Sequence, residues 1–234
     1  MSINRLLPNV LLAFFTLGMG ITLADKINPS DAEIAPQERP DVFKQGLEEL
    51  KKVDQEVQNS PESPASRFNR MRVLFVLGVK EEPFLAEGEK EARWLKTHLK
   101  PDSSQSLLLA YEGALRVTSA KHGFNLNRKW ENLKAGIPML DSAVSLSPKH
   151  AEIRYLRLVT NYYLPFFMGR KTKVRDDFLA LGQLLPAVAR EFPPKWYLNV
   201  AGFVLEKGKL EATEKEILVS RMNEIRKELK NETL

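Results

Sequence analysis

The stretch whose reading decides the fold is Gly136-Ile137-Pro138-Met139-Leu140-Asp141-Ser142-Ala143-Val144-Ser145-Leu146-Ser147-Pro148. Gly136, Leu140, Ala143 and Leu146 fall at steps of four, three and three, the period of a helix that buries one face. Pro148 comes two residues later, and a proline has no N–H with which to continue a helix. Upstream, Trp130, Leu133 and Ile137 lead into Leu140 and Val144 with the same period. One long helix is therefore expected, capped at Asn125 or Asn127. Pro138 lies inside it and should kink it or divide it in two.

Outward from this stretch the same grammar repeats. Toward the C-terminus, Pro148 precedes a helix over about 151–163, and Pro165 and Gly169 bound a short connector. Residues 173–185 are helical again. Pro193-Pro194 opens a helix closed by Gly208, and the last runs over 211–230. Toward the N-terminus, a helix from Asp102 or Ser103 reaches about His122-Gly123, and Glu82-Pro83 begins one that Pro101 stops. Ser63-Pro64 starts another, which Gly78 ends, and the apolar residues Val42 to Val57 form an amphipathic helix before it. The run 73–79 is the best strand candidate, but Phe68 and Met71 continue its helical period backward, so it is assigned to a helix. The expected fold is all-α, with about nine helices, short connectors and antiparallel neighbours.

The spacings at Gly136, Leu140, Ala143, Leu146 and Pro148 resemble the end of the second helix of a tetratricopeptide repeat. There a small residue, a large apolar residue, alanine, leucine and proline follow in that order. Leu184-Leu185-Pro186 is similar to a degenerate second ending, and Ala110-Tyr111 with Gly113-Ala114 has the small-and-aromatic texture of a first helix. Small residues let paired helices approach closely. The resemblance covers about residues 105–190 and implies a helix-pair array. The tryptophan and the Leu-Gly pair usual in the first helix are not in register, and an irregular helical bundle stays open as the alternative. The segment 152–178 is also similar to a stretch of uncharacterised exported bacterial helical proteins, which implies export and brings no activity with it.

Residues 1–24 read as a secretory signal peptide. Arg5 is a short positive region, the run 11–17 is apolar, and Thr22-Leu23-Ala24 is a small-residue cleavage triplet. An uncleaved anchor is the alternative, interrupted by Pro8, Asn9, Gly18 and Gly20. Either way the rest of the chain is expected outside the cytoplasm, periplasmic or secreted. Residues 25–39, with Pro29 and Pro36 among polar residues, read as a flexible leader, and 40–234 as one α-helical domain. The 234 residues are 43% hydrophobic and 28% charged, which argues against global disorder and against a multi-pass membrane protein. There is no cysteine, so an exported fold here rests on packing rather than disulfides.

The net charge of +5 hides an uneven distribution. Residues 25–66 carry 10 acidic and 5 basic side chains, whereas residues 120–175 carry 3 and 11. In that basic middle Arg154, Arg157 and Asn161 share a helix face, and Arg170 and Lys171 follow after a turn. Guanidinium forks suit carboxylate or phosphate, so this face is a candidate contact surface for a partner segment, an anionic lipid or an acidic glycan. The competing reading pairs Arg154 or Arg157 internally with Asp176 or Asp177. Tyr155, Tyr162, Tyr163, Phe166 and Phe167 are a candidate aromatic groove, against the commoner fate of aromatic residues as core. Trp94, Trp130 and Trp196 are assigned to the core.

His98, His122 and His150 have no metal-ligand spacing, and each stands near an expected helix end, where a histidine often meets the last carbonyls. No phosphate loop and no nucleophile elbow is present in the sequence. The expected function is a non-catalytic exported interaction module that binds a cell-envelope protein through a helical groove. No metal, cofactor or nucleic acid is expected. The alternative is a small-ligand or lipid-binding helical protein with an aromatic-lined pocket.

Overall fold

The computed structural model describes residues 42–100, 104–122 and 125–231, which form nine α-helices, one short 3-10 turn and no strand. The signal peptide and leader read at 1–24 and 25–39, and the caps expected at Asp102 or Ser103, lie outside the described residues. Helix α1 is Val42–Asn59, α2 Pro64–Gly78, α3 Glu82–His98, α4 Ser104–Ser119 and α5 Leu126–Leu146. After these come α6 Ala151–Tyr162, the turn Phe166–Met168, α7 Lys171–Leu184, α8 Pro194–Lys207 and α9 Ala212–Asn231. No helix among the described residues is long and apolar enough to cross a membrane.

Local chemistry sets most of these bounds. The Ser63 side chain accepts from the backbone N–H of Ser66 and caps α2, with Pro64 at the first helical position, where no donor is lost. Asn125 caps α5 by accepting from the N–H of Arg128. Pro138 does not divide α5, which runs through it as one helix. Helix α7 begins at Lys171, two residues earlier than expected from its apolar stripe.

Each helix packs on the next along the chain, and α2 with α4, α4 with α6, and α7 with α9 also touch. Helix α2 is enclosed along most of its length, from Phe68 to Gly78. That explains the run 73–79. A helix surrounded on all sides is apolar all round and loses the stripe that would distinguish it from a strand. One core extends from Val53 to Ile225, with Trp196, Tyr111, Tyr155, Tyr197, Phe75 and Phe203 its largest side chains. Tyr111 stands edge-on to both Phe68 and Phe75, at 5.7 Å from each.

Helices α4 and α5 meet at two glycines. A Cβ on Gly113 would lie 2.8 Å from the Gly136 carbonyl oxygen, and one on Gly136 would lie 2.6 Å from that of Gly113. Backbone touches backbone, so only glycine fits at either position. The same residues carry the repeat-like pattern in the sequence.

Candidate functional site

The structure brings Arg154, Arg157, Asn161 and Arg170 together, but around two carboxylates of the chain itself. Asp177 on α7 is fully buried. It accepts from Arg154 Nη1 at 2.9 Å and from Arg157 Nη2 and Nε at 2.7 and 2.8 Å. Asp141 on α5 accepts from Arg157 Nη1 at 3.2 Å and Arg170 Nη2 at 2.6 Å. Arg170 Nε donates to Asn161 Oδ1 at 3.1 Å, and Arg154 Nε to the Pro148 carbonyl at 2.8 Å. Burial works against the Arg157 charge, yet Asp177 and Asp141 outweigh it and hold the guanidinium above its usual range. These forks tie α5, α6 and α7 to one another. Lys171 is exposed and outside the cluster.

The aromatic group does not form one groove. Tyr155 is wholly buried and edge-on to Trp196. Tyr162 is half-buried against Phe178 and Phe203. Tyr163 turns outward, and Phe166 and Phe167 are 78% and 71% exposed. The last two stand on the 3-10 turn after α6, so they are neither core nor the wall of a closed pocket. Pro165 sets the backbone entering the turn, and Gly169 leaves it with φ +68, the left-handed region that favours glycine.

A second buried charge cluster lies at the centre of the fold. Arg72 on α2 meets Glu152 on α6 through Nε at 2.9 Å and Nη2 at 3.0 Å, and Tyr111 on α4 donates to the same carboxylate at 2.7 Å. Arg72 Nη1 also donates to Asn69 at 3.1 Å. Burial pushes the Glu152 carboxyl up, but Arg72 and Tyr111 outweigh it and hold it below its ordinary value. His150, just before α6, is held down first by burial, and its Nδ1 has no hydrogen-bond partner. His150 thus departs from the expected carbonyl contact, because it precedes a helix start. His98 and His122 do meet carbonyls, those of Trp94 and Gly78, both at 2.8 Å. No group of acidic residues and histidines among the described residues could hold a metal ion.

Sequence reasoning missed the surface of α5. Leu126, Trp130, Leu133, Ile137, Leu140 and Val144 follow one another at steps of four and three, a single stripe on one helix face. Its C-terminal part, Leu140 and Val144, is buried; Leu133 and Ile137 are half-buried against the core; Trp130 is 47% and Leu126 77% exposed. Assigning Trp130 to the core is therefore corrected. The stripe leaves the core as α5 extends beyond the helices that cover its other end. Lys134 lies over the Trp130 ring at 5.3 Å. The signal was in the sequence as spacing, but where cover stops depends on the length of neighbouring helices.

Comparison of the chain with protein-family models, with curated proteins and with solved structures finds no match in any of the three.

Proposed function

We propose that this chain is an exported, non-catalytic interaction module, built of tetratricopeptide-like helix pairs, that binds a segment of a partner protein in the cell envelope. The observation that carries the binding reading is the stripe on α5. Leu126 and Trp130 stand in water on the face whose continuation, Leu140 and Val144, is core. An amphipathic partner helix laid along this face would extend the burial that the chain begins. Lys134 beside the stripe favours a partner helix with an acidic flank. The helix-pair reading is supported by the Gly113–Gly136 approach and by the succession α2, α4, α6. Export rests on the sequence of residues 1–24. Contact is assigned to α5 rather than to Arg154, Arg157 and Arg170, whose forks already hold carboxylates.

A photoreactive amino acid at position 130 tests this in the living cell. The expected result is a discrete cross-link to one protein, absent when the probe stands at the exposed position of Glu62. Cross-linking to nothing, or equally from both positions, overturns the reading.

A further inference from the structure

We propose that the turn Phe166–Met168 and the start of α7 form a second contact surface, which docks the protein onto an anionic lipid bilayer. This goes beyond the partner-binding reading and uses a different part of the molecule. Asp141, which anchors the turn, is 11 residues along α5 from Trp130, about 16 Å by helix rise.

Three observations converge. First, two phenylalanine rings project from a three-residue turn, edge-on to each other at 6.1 Å, and a Cβ at Gly169 would meet nothing within 4 Å. This is an apolar tip in open space, the form that enters a bilayer interface rather than one that receives a ligand. Tyr163 stands exposed beside it, and a tyrosine ring with a polar end suits the head-group level.

Second, the segment that carries the tip has charge of one sign, and Glu206, which acts on Tyr163 from α8, is paired with Lys207. Between Glu152 and Asp176 the chain has no acidic residue and six basic ones. Arg154, Arg157 and Arg170 are held by Asp177 and Asp141. Lys171, Lys173 and Arg175 are exposed and have no ion-pair partner among the described residues. They occupy the first five residues of α7, which has no acidic residue in its first turn and no side-chain cap. Cations there oppose the helix dipole, a cost that a negatively charged surface would offset.

Third, the tip is fixed before it binds. Met168 N–H bonds the Pro165 carbonyl at 3.0 Å, and Gly169 N–H that of Phe166 at 3.2 Å. Arg170, next in the chain, is clamped by Asp141 and Asn161. Little ordering is left to oppose docking. On binding, both rings enter the acyl boundary while the three cations lie among lipid phosphates.

Vesicle co-sedimentation of the chain as isolated from expressing cells tests this. The wild type should bind phosphatidylcholine vesicles containing about 30% phosphatidylglycerol, and bind more weakly as salt rises. Binding to phosphatidylcholine alone should be much weaker. Changing Phe166→Ala and Phe167→Ala together should weaken binding by at least about tenfold, and each of Lys171→Gln, Lys173→Gln and Arg175→Gln by about fivefold. All five side chains are exposed, so the circular dichroism spectrum and melting should be unchanged. Equal binding by the wild type and the double phenylalanine variant overturns the proposal. So does binding that ignores lipid charge. No vesicle binding, with a photo-cross-link from position 166 to a protein, overturns it in favour of a protein occupant. None of these outcomes touches the position-130 cross-link, so the two readings fail separately.

Discussion

Tyr111 and Tyr155 are both fully buried, on helices α4 and α6 that touch, and they differ in where the hydroxyl goes. That of Tyr111 donates to Glu152, whereas that of Tyr155 has no hydrogen-bond partner. Tyr111→Phe should therefore cost about 1.5–3 kcal/mol, because it strips a donor from a buried carboxylate. Tyr155→Phe should change stability by less than about 0.5 kcal/mol, since it removes an unsatisfied group. Urea denaturation of the two variants checks the contrast, and equal losses would refute it. Acid should weaken the same region in two steps. His150 is depressed by burial, so below about pH 6.5 the unfolded chain takes up a proton that the folded chain refuses, and stability falls. Glu152 is also depressed, so its contribution is present above its ordinary value of 4.5 and is lost as pH falls through its lower folded value. The urea midpoint should fall between about pH 7.5 and about pH 5, and His150→Asn, which removes the titrating group from an N-cap position where His150 makes no side-chain cap bond, should flatten that decline. A midpoint independent of pH across this window would contradict the assignment. These residues were illegible in the sequence: Glu152 looks like an ordinary first-turn acid, and its partner Arg72 is 80 residues away.

Helix by helix, the sequence was largely legible because starts and stops are local chemistry. Ser63 with Pro64, Asn125 and Gly208 announce their ends within a turn. Two things were not local. Whether a proline breaks a helix depends on what supports it, and α5 passes through Pro138 intact. Whether an apolar stripe is core depends on cover, and that of α5 runs out toward Leu126. The pattern at Gly136 was legible as small, and the structure supplies the reason: its Cα faces the Gly113 backbone. Gly136→Ala should therefore destabilise by about 1–3 kcal/mol, since a carbonyl cannot swing away. At Gly88 an added Cβ meets Leu115 Cδ2 at 2.9 Å, the end of a side chain that can move, so Gly88→Ala should cost less. Thermal melts of the two variants decide it, and a harmless Gly136→Ala would refute the close approach.

On the scale of the whole molecule, residues 120–175 carry a large positive excess, and the fold spends part of it internally by bringing in Asp177 from outside that segment. Asp177 was foreseeable as one of two carboxylates on the next helix. That it would bind Arg154 and Arg157 together, with Asp141 taking the far side of Arg157, was not, because register between α6 and α7 is a tertiary property. Two exposed apolar sites stand beside cations that have no ion-pair partner among the described residues: Leu126 and Trp130 with Lys134, and Phe166 and Phe167 with Lys171, Lys173 and Arg175. The central claim is that the first of these receives a partner protein. The most direct test is the affinity of the protein cross-linked from position 130, measured by calorimetry for the wild type and for a chain with Leu126→Asp and Trp130→Asp. A loss of at least about thirtyfold is expected, with the urea midpoint of the free chain unchanged. Equal affinity in both chains would contradict it.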